Sequence, residues 1–317
     1  MVSQTEVNGM EQLITQIPQQ MVNGITLGSV YALLALGYSM VYGVLKMLNF
    51  AHGDVFMVGA FAGWTVLAFF QGSGHISMPV LILVTMALGA ILATGVLGAV
   101  IERFAYRPLR GGSRLVTLIS ALGVSIILQN AAMLLTSGRA KTFATELLIP
   151  QDLVVHVAGA TISATRLAML GISVLTMVIL DAVVLKTKFG RAMRATSQDA
   201  EAAEYMGVCT SKVIAITFIL GSALAGLAGV MIGLYYTQVD YMIGFSAGMK
   251  AFTAAVLGGI GSFHGAVAGG LVLGLAESFG VLIAPPVYKD AIVFAVLIFT
   301  LILRPSGLYG RPNQPRA

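Results

Sequence analysis

Val213-Ile-Ala-Ile-Thr-Phe-Ile-Leu-Gly-Ser-Ala-Leu-Ala-Gly-Leu-Ala-Gly-Val-Met-Ile-Gly-Leu-Tyr-Tyr236 runs without a charge from Lys212 to Asp240. Crossing a hydrocarbon core of about 30 Å takes roughly 20 helical residues, so this segment is long enough to span a membrane. Five more runs of such length lie near 20–45, 78–101, 115–136, 166–185 and 266–284, and three shorter ones near 55–70, 244–261 and 288–303. Composition agrees with that reading: 57% of the 317 residues are hydrophobic and only 10% charged, a balance with which a water-soluble fold of this size could not solvate itself. The expected fold is therefore an all-α, polytopic transmembrane helical bundle of about eight or nine spans.

The connections set the orientation. Basic residues cluster at Arg103, Arg107, Arg110 and Arg114, again at Lys186, Lys188, Arg191, Arg194 and Lys212, and in the tail at Arg304, Arg311 and Arg316. Placing all three clusters in the cytoplasm satisfies the positive-inside rule with nine crossings and an outside N-terminus; eight result if one short run is re-entrant. Spread between spans in this way, the net charge of +5 forms no basic patch for nucleic acid. Residues 1–19 carry Glu6 and Glu11 but no Lys or Arg. The apolar run after them is too long for a signal-peptide core, so the first span is expected to be retained.

The expected organisation is an N-terminal periplasmic segment (1–19), one membrane domain (20–304) and a cytoplasmic tail (305–317). Within the domain lie a periplasmic excursion (138–165) and a cytoplasmic loop (186–212). In the excursion, Leu153-Val-Val-His-Val alternates with Ala160-Thr-Ile-Ser around Gly159, which predicts a small β-hairpin.

Helices in lipid approach through small residues, and Gly24/Gly28, Ser222/Gly226, Ala225/Gly229/Gly233 and Gly261/Gly265/Gly269 are spaced by four. The crowding of glycine over 257–265 predicts a broken or re-entrant element near a pathway. Tyr31, Tyr38 and Tyr42 share one stripe of the first span, as pore-lining hydroxyls or as interfacial anchors. Asn49-Phe-Ala-His52-Gly-Asp54 packs polar groups between two apolar runs, either as a helix connection or as a gating site. Lys250 and Glu277 are costly charges at membrane depth that need partners or water. A Lys250–Glu277 pair is one solution and snorkelling of Lys250 another. These residues, Tyr31, Tyr38, Asn49, His52, Asp54, Lys250 and Glu277, are the candidates for a translocation path.

No His-Glu-x-x-His, Gly-x-Ser-x-Gly or Gly-x-x-x-x-Gly-Lys-Ser/Thr pattern occurs, and Cys209 is the single cysteine. The sequence thus offers no metal site, no serine nucleophile and no phosphate loop of its own. In 188–208, Thr196 and Ser197 are placed to cap a short helix with Asp199 and Glu201 in its first turn and Gly207 at its end. Its alanine face, including Ala202 and Ala203, suits docking in a partner's groove, with charges such as Arg191 and Arg194 fixing its orientation.

Glu201-Ala-Ala-x-x-x-Gly207 resembles the cytoplasmic loop of ATP-binding-cassette importer permeases, whose short coupling helix sits in a groove of the ATPase. The Ile-x-Leu-Pro end of that pattern falls near Phe218 to Gly221, where this chain reads Phe-Ile-Leu-Gly. Over nearly its whole length the chain is similar to branched-chain amino-acid permeases of the LivH type. The resemblance rests on Asn23-Gly-Ile-Thr-Leu-Gly-Ser29, Asn49-Phe-Ala-His-Gly-Asp54, Glu102-Arg-Phe-Ala-Tyr-Arg-Pro-Leu-Arg110 and Gly248-Met-Lys-Ala-Phe-Thr-Ala-Ala-Val-Leu-Gly-Gly-Ile-Gly261.

This resemblance implies a type II-like permease of the inner membrane that imports Leu, Ile or Val. It further implies a homologous second permease, two ATPase subunits and a periplasmic substrate-binding protein as partners. Arg191, Arg194, Asp199, Ala202, Ala203 and Gly207 would then couple to the ATPase. ATP and Mg would be used by the partner ATPases, with no cofactor on this chain. The alternatives are a permease of the same architecture for urea or short-chain amides and, further off, an ion-coupled secondary carrier.

Overall fold

The computed structural model describes residues 4–73, 78–110, 112–148, 154–157 and 159–310. Leu153 of the expected hairpin, His75 and the tail arginines Arg311 and Arg316 lie outside the described residues. In chain order come α1 (Gln4–Leu45), α2 (His52–Gly72), α3 (Pro79–Ile101), α4 (Arg114–Thr136), β1 (Lys141–Thr142), β2 (Val154–Val157) and β3 (Ala160–Ser163). They are followed by α5 (Ala164–Lys186), α6 (Lys188–Gln198), α7 (Ala200–Tyr205), α8 (Thr210–Tyr236), β4 (Gln238–Val239), α9 (Ile243–Gly258), α10 (Phe263–Ile283) and α11 (Lys289–Leu303).

Among the described residues eight helical segments are long and apolar enough to cross a membrane, α11 counting with the turn before it as Pro286–Leu303, and α9, with 16 residues, falls short of that length. Its start nevertheless follows β4, which pairs with β1 in the excursion between α4 and α5. At its other end the Leu257 and Gly258 carbonyls accept hydrogen bonds from Leu308 and Tyr309, beyond α11. α9 therefore also runs from one end of the bundle to the other. Directions alternate, and the basic segments 103–114 and 186–212 share one end with Arg304, here called the basic end.

The opposite end carries the hairpin, with β2 and β3 antiparallel and Val157 facing Ala160 in register. Gly159 takes a φ of +84° at the turn, a value a glycine reaches without steric cost. The hairpin is tied to α1, whose Gln19 side chain accepts from the Thr161 N–H at 2.8 Å. Residues 4–19 continue α1 as helix rather than forming a separate segment.

α1 is the central helix: 94% of its apolar window is buried, against 17% for α4 and α5 and 6% for α11. Glycines set the closest approaches, as lipid packing requires. A Cβ on Gly28 would sit 2.9 Å from the Leu271 Cα, and one on Gly59 2.3 Å from the Gly226 Cα. The spacings in α1 and α8 thus serve helix contact, whereas Gly261 belongs to no ladder. It lies, with φ +88°, in the tight turn joining α9 to α10, where Gly259 has φ +102°. The glycine-rich break is this turn between two helices, not a re-entrant excursion.

Candidate functional site

Two buried polar centres hang on α1, at Tyr31 and Tyr38, seven residues and about 10 Å of helix apart. At the first, the Tyr31 hydroxyl donates to Glu277 Oε2 at 2.8 Å, and Lys250 Nζ lies 2.9 Å from Glu277 Oε1. Lys250 also lies 3.0 Å from Asp290 at the start of α11, whose side chain is 62% exposed. Four helices, α1, α9, α10 and α11, are joined through the Glu277 and Asp290 carboxylates and one ammonium. Burial of that pair is tolerated because each charge has its opposite within hydrogen-bond reach. Lys250 does not snorkel away from Glu277.

At the second centre the chain turns sharply after α1. The His52 N–H donates to the Asn49 carbonyl, and α2 starts at once with His52, Gly53 and Asp54, all buried. Tyr38 meets the His52 ring edge-on, centroids 4.6 Å apart, and its hydroxyl faces the Gly53 backbone. The imidazole packs on Gly37, where a Cβ would come within 2.4 Å of Nε2. Neither ring nitrogen has a hydrogen bond of good geometry, the Leu34 carbonyl being the polar neighbour. Asp54 accepts from Ser125 and, at 3.0 Å, from Gln129, both on α4. Asn49 accepts from the Tyr106 hydroxyl at 3.0 Å. Tyr106 closes a π-helical turn, Glu102–Tyr106, that ends α3.

The expected tyrosine stripe is therefore split. Tyr31 and Tyr38 are buried and serve different centres, so neither is an interfacial anchor, while Tyr42 is only partly buried.

A third feature is the basic end itself. Glu102, buried, pairs with Arg110; burial pulls the Arg110 guanidinium below its ordinary pKa while the Glu102 charge opposes that. Thr187 caps α6 by accepting from the Gly190 N–H at 3.1 Å. Gly190 lets α6 fold back on α5, since a Cβ there would lie 2.0 Å from the Val184 carbonyl oxygen. Arg194 donates to that same carbonyl, which suits a cation at a helix C-terminus.

The expected cap at Thr196 and Ser197 is corrected. Both lie inside α6, and the α7 cap is Asp199, whose carboxylate accepts from the Glu201 and Ala202 N–H groups at 3.0 Å each. At the other end Gly207, with φ +83°, donates to the Glu204 carbonyl, and Val208 donates to that of Ala203, both at 2.9 Å. This is a Schellman stop. Ala203 is buried within the chain, whereas Ala200, Glu201, Ala202, Tyr205 and Met206 are exposed.

Sequence reading missed Ser125, Gln129, Tyr106 and Asp290. Ser125 and Gln129 carried a usable signal: two hydrogen-bonding side chains at i, i+4 on one face of an apolar helix.

Residues 20–301 match the family model described as branched-chain amino acid transport system, permease component. The chain is 45% identical to the high-affinity branched-chain amino acid transport system permease protein BraD of Pseudomonas aeruginosa, covering 93% of this chain and 96% of that one. It is 44% identical to the corresponding protein LivH of Escherichia coli, over the same shares. A solved structure of PsaBC from Streptococcus pneumoniae in complex with Fab aligns with 95% of this chain and 98% of its own, at 15% identity and a TM-score of 0.49. With a family model over nearly all its length and near-full-length relatives of this identity, the chain belongs to the permease components of branched-chain amino-acid transport systems.

Proposed function

We propose that this chain is the membrane permease subunit of an ATP-driven importer carrying Leu, Ile and Val across the cell inner membrane. The observation that carries the coupling half of this reading is α7: a single exposed turn and a half of helix, capped at both ends, with Tyr205 82% and Met206 85% exposed. Large apolar side chains held out on a rigid, doubly capped helix at the basic end suit the groove of a cytoplasmic partner. The chain contains no phosphate-loop sequence, which supports hydrolysis of Mg-ATP by separate ATPase subunits. Two of these, a homologous second permease and a periplasmic binding protein complete the assembly. No cofactor of the chain's own is needed.

In this reading the path follows the two polar centres. Tyr31, Lys250 and Glu277 lie toward the hairpin end and Tyr38, Asn49, His52 and Asp54 deeper in the bundle. Selectivity comes mainly from the binding protein.

The test is ATP-dependent leucine uptake by vesicles containing the complete assembly, with Ala202→Arg as the variant. Ala202 is exposed in mid-helix, so the longer side chain obstructs docking without straining the chain. Loss of uptake and of ATPase co-purification at normal insertion is the expected result. Unchanged co-purification and uptake would overturn the reading.

A further inference from the structure

A cavity of about 330 Å³ opens at the basic end between α1, α5, α6 and the first turn of α10. It belongs to neither polar centre. Its apolar wall is made by Leu36 and Met40 of α1, Leu185 of α5 and Met193 of α6. Its polar lining is Ser39, Asp181, Arg194, Ser197 and His264.

Three of these groups have capacity to spare. The Ser39 Oγ has no hydrogen-bond partner, although the residue is only 3% exposed. A serine in a helix normally bonds a carbonyl one turn back; this hydroxyl is covered as well as orphaned, so a turn about χ1 brings it to a ligand in the cavity that its residue lines. Asp181 Oδ1 stands 3.8 Å from His264 Nε2, too far for a hydrogen bond, and keeps its acceptor capacity. Arg194 uses one terminal nitrogen on the Val184 carbonyl and retains donors for a carboxylate.

A carboxylate and a guanidinium lining one small chamber with an apolar wall complement a zwitterion bearing an aliphatic side chain. A simple anion or cation would leave one of those two charges unanswered. The volume lies at the small end of the range for ligand pockets, roughly 300–1,000 Å³.

We propose that this cavity is an inward-facing site for a free branched-chain α-amino acid. The ammonium pairs with Asp181, the carboxylate with Arg194 and the Ser39 hydroxyl, and the side chain lies on Met40, Leu185 and Met193. The identity of the ligand rests on the import reading above; the charge complementarity does not. The site is joined to the coupling surface, because α6 ends at Gln198 and the next residue, Asp199, caps α7. An amino acid bridging α5 to α6 braces the helix that carries the docking element. Accumulated product thus reaches the ATPase contact from the inner side.

The experiment uses the complete transporter in vesicles with a Cys209→Ser, Ser197→Cys chain, Cys209 being exposed and otherwise reactive. The rate of alkylation by a small maleimide is measured with millimolar leucine, with leucinol, which lacks the carboxylate, or with 4-methyl-2-oxopentanoate, which lacks the ammonium. Leucine is expected to slow alkylation several-fold and the two analogues hardly at all. Adding Asp181→Asn is expected to abolish the protection. Equal alkylation with and without leucine, or equal protection in the Asp181→Asn chain, would overturn the site. Leucine uptake by the same vesicles separates the two readings. Uptake without protection sinks the site alone, whereas protection without uptake sinks the import reading and leaves an amino-acid site standing.

Discussion

Lys250 and Glu277 illustrate how a single residue's cost depends on its neighbour. Each is buried, and each answers the other at 2.9 Å. Lys250→Met strands the Glu277 carboxylate with Tyr31 as its remaining partner, and breaking a buried pair from one side typically costs about 3–5 kcal/mol. The Lys250→Met, Glu277→Met double variant removes both charges and is expected to be less destabilised than the single one. Thermal unfolding of the purified assembly in detergent checks the ordering, and a double variant as unstable as the sum of its singles would argue against a coupled pair. Gly37 and Gly123 make a second comparison. A methyl on Gly37 collides with the His52 ring, whereas nothing lies within 4 Å of one on Gly123. Gly37→Ala is expected to cost about 1–3 kcal/mol through overpacking. Gly123→Ala, in a helix, is neutral or stabilising by up to about 1 kcal/mol. The same unfolding assay reads both.

At the scale of the element, α7 is too short to persist on its own, because a helix of six residues has scarcely passed nucleation. Its two caps and the burial of Ala203 hold it. Asp199→Ala removes both N-terminal hydrogen bonds and is expected to destabilise the turn by about 1 kcal/mol. The predicted readout is a several-fold loss of ATPase co-purification while membrane insertion stays normal. Retained co-purification would mean that the docking contact does not depend on a preformed helix. The α1–α2 connection has the opposite character. Six residues, 46–51, join two spans; Asn49 within them is held by Tyr106, Asp54 just beyond them by Ser125 and Gln129, and the His52 ring packs on Tyr38, so that the start of α2 is fixed from three sides.

Across the whole molecule, the alternation of helix directions puts the hairpin and the basic segments at opposite ends. In a Cys209→Ser chain, Thr142→Cys and Tyr205→Cys, both at exposed positions, are expected to react with an impermeant thiol reagent from opposite faces of the membrane. Labelling of both from one face would contradict the passage of α5 through the membrane. The outer helices α4, α5 and α11 leave most of their apolar surface uncovered within this chain, as lipid or a second permease requires.

Local chemistry made much of this protein legible in its sequence. Apolar run length gave the spans, alternation about Gly159 gave the hairpin, and Gly207 gave the end of α7, because each depends on residues a few positions apart. The caps inside 188–208 were legible only in part, since Thr196, Ser197 and Asp199 are all good capping residues and the extent of α6 chose among them. Tertiary structure alone decided that Lys250 meets Glu277 and Asp290, that Tyr31 and Tyr38 serve separate centres, and that Asp54 is held by Ser125 and Gln129. It also decided that Ser39, with its hydroxyl unpaired, lines a charged cavity. The reason is physical: in lipid no hydrophobic force selects which apolar face meets which. Helix neighbours are instead set by close fits such as Gly28 on Leu271 and Gly59 on Gly226, whose partners lie too far apart in the chain for spacing to reveal.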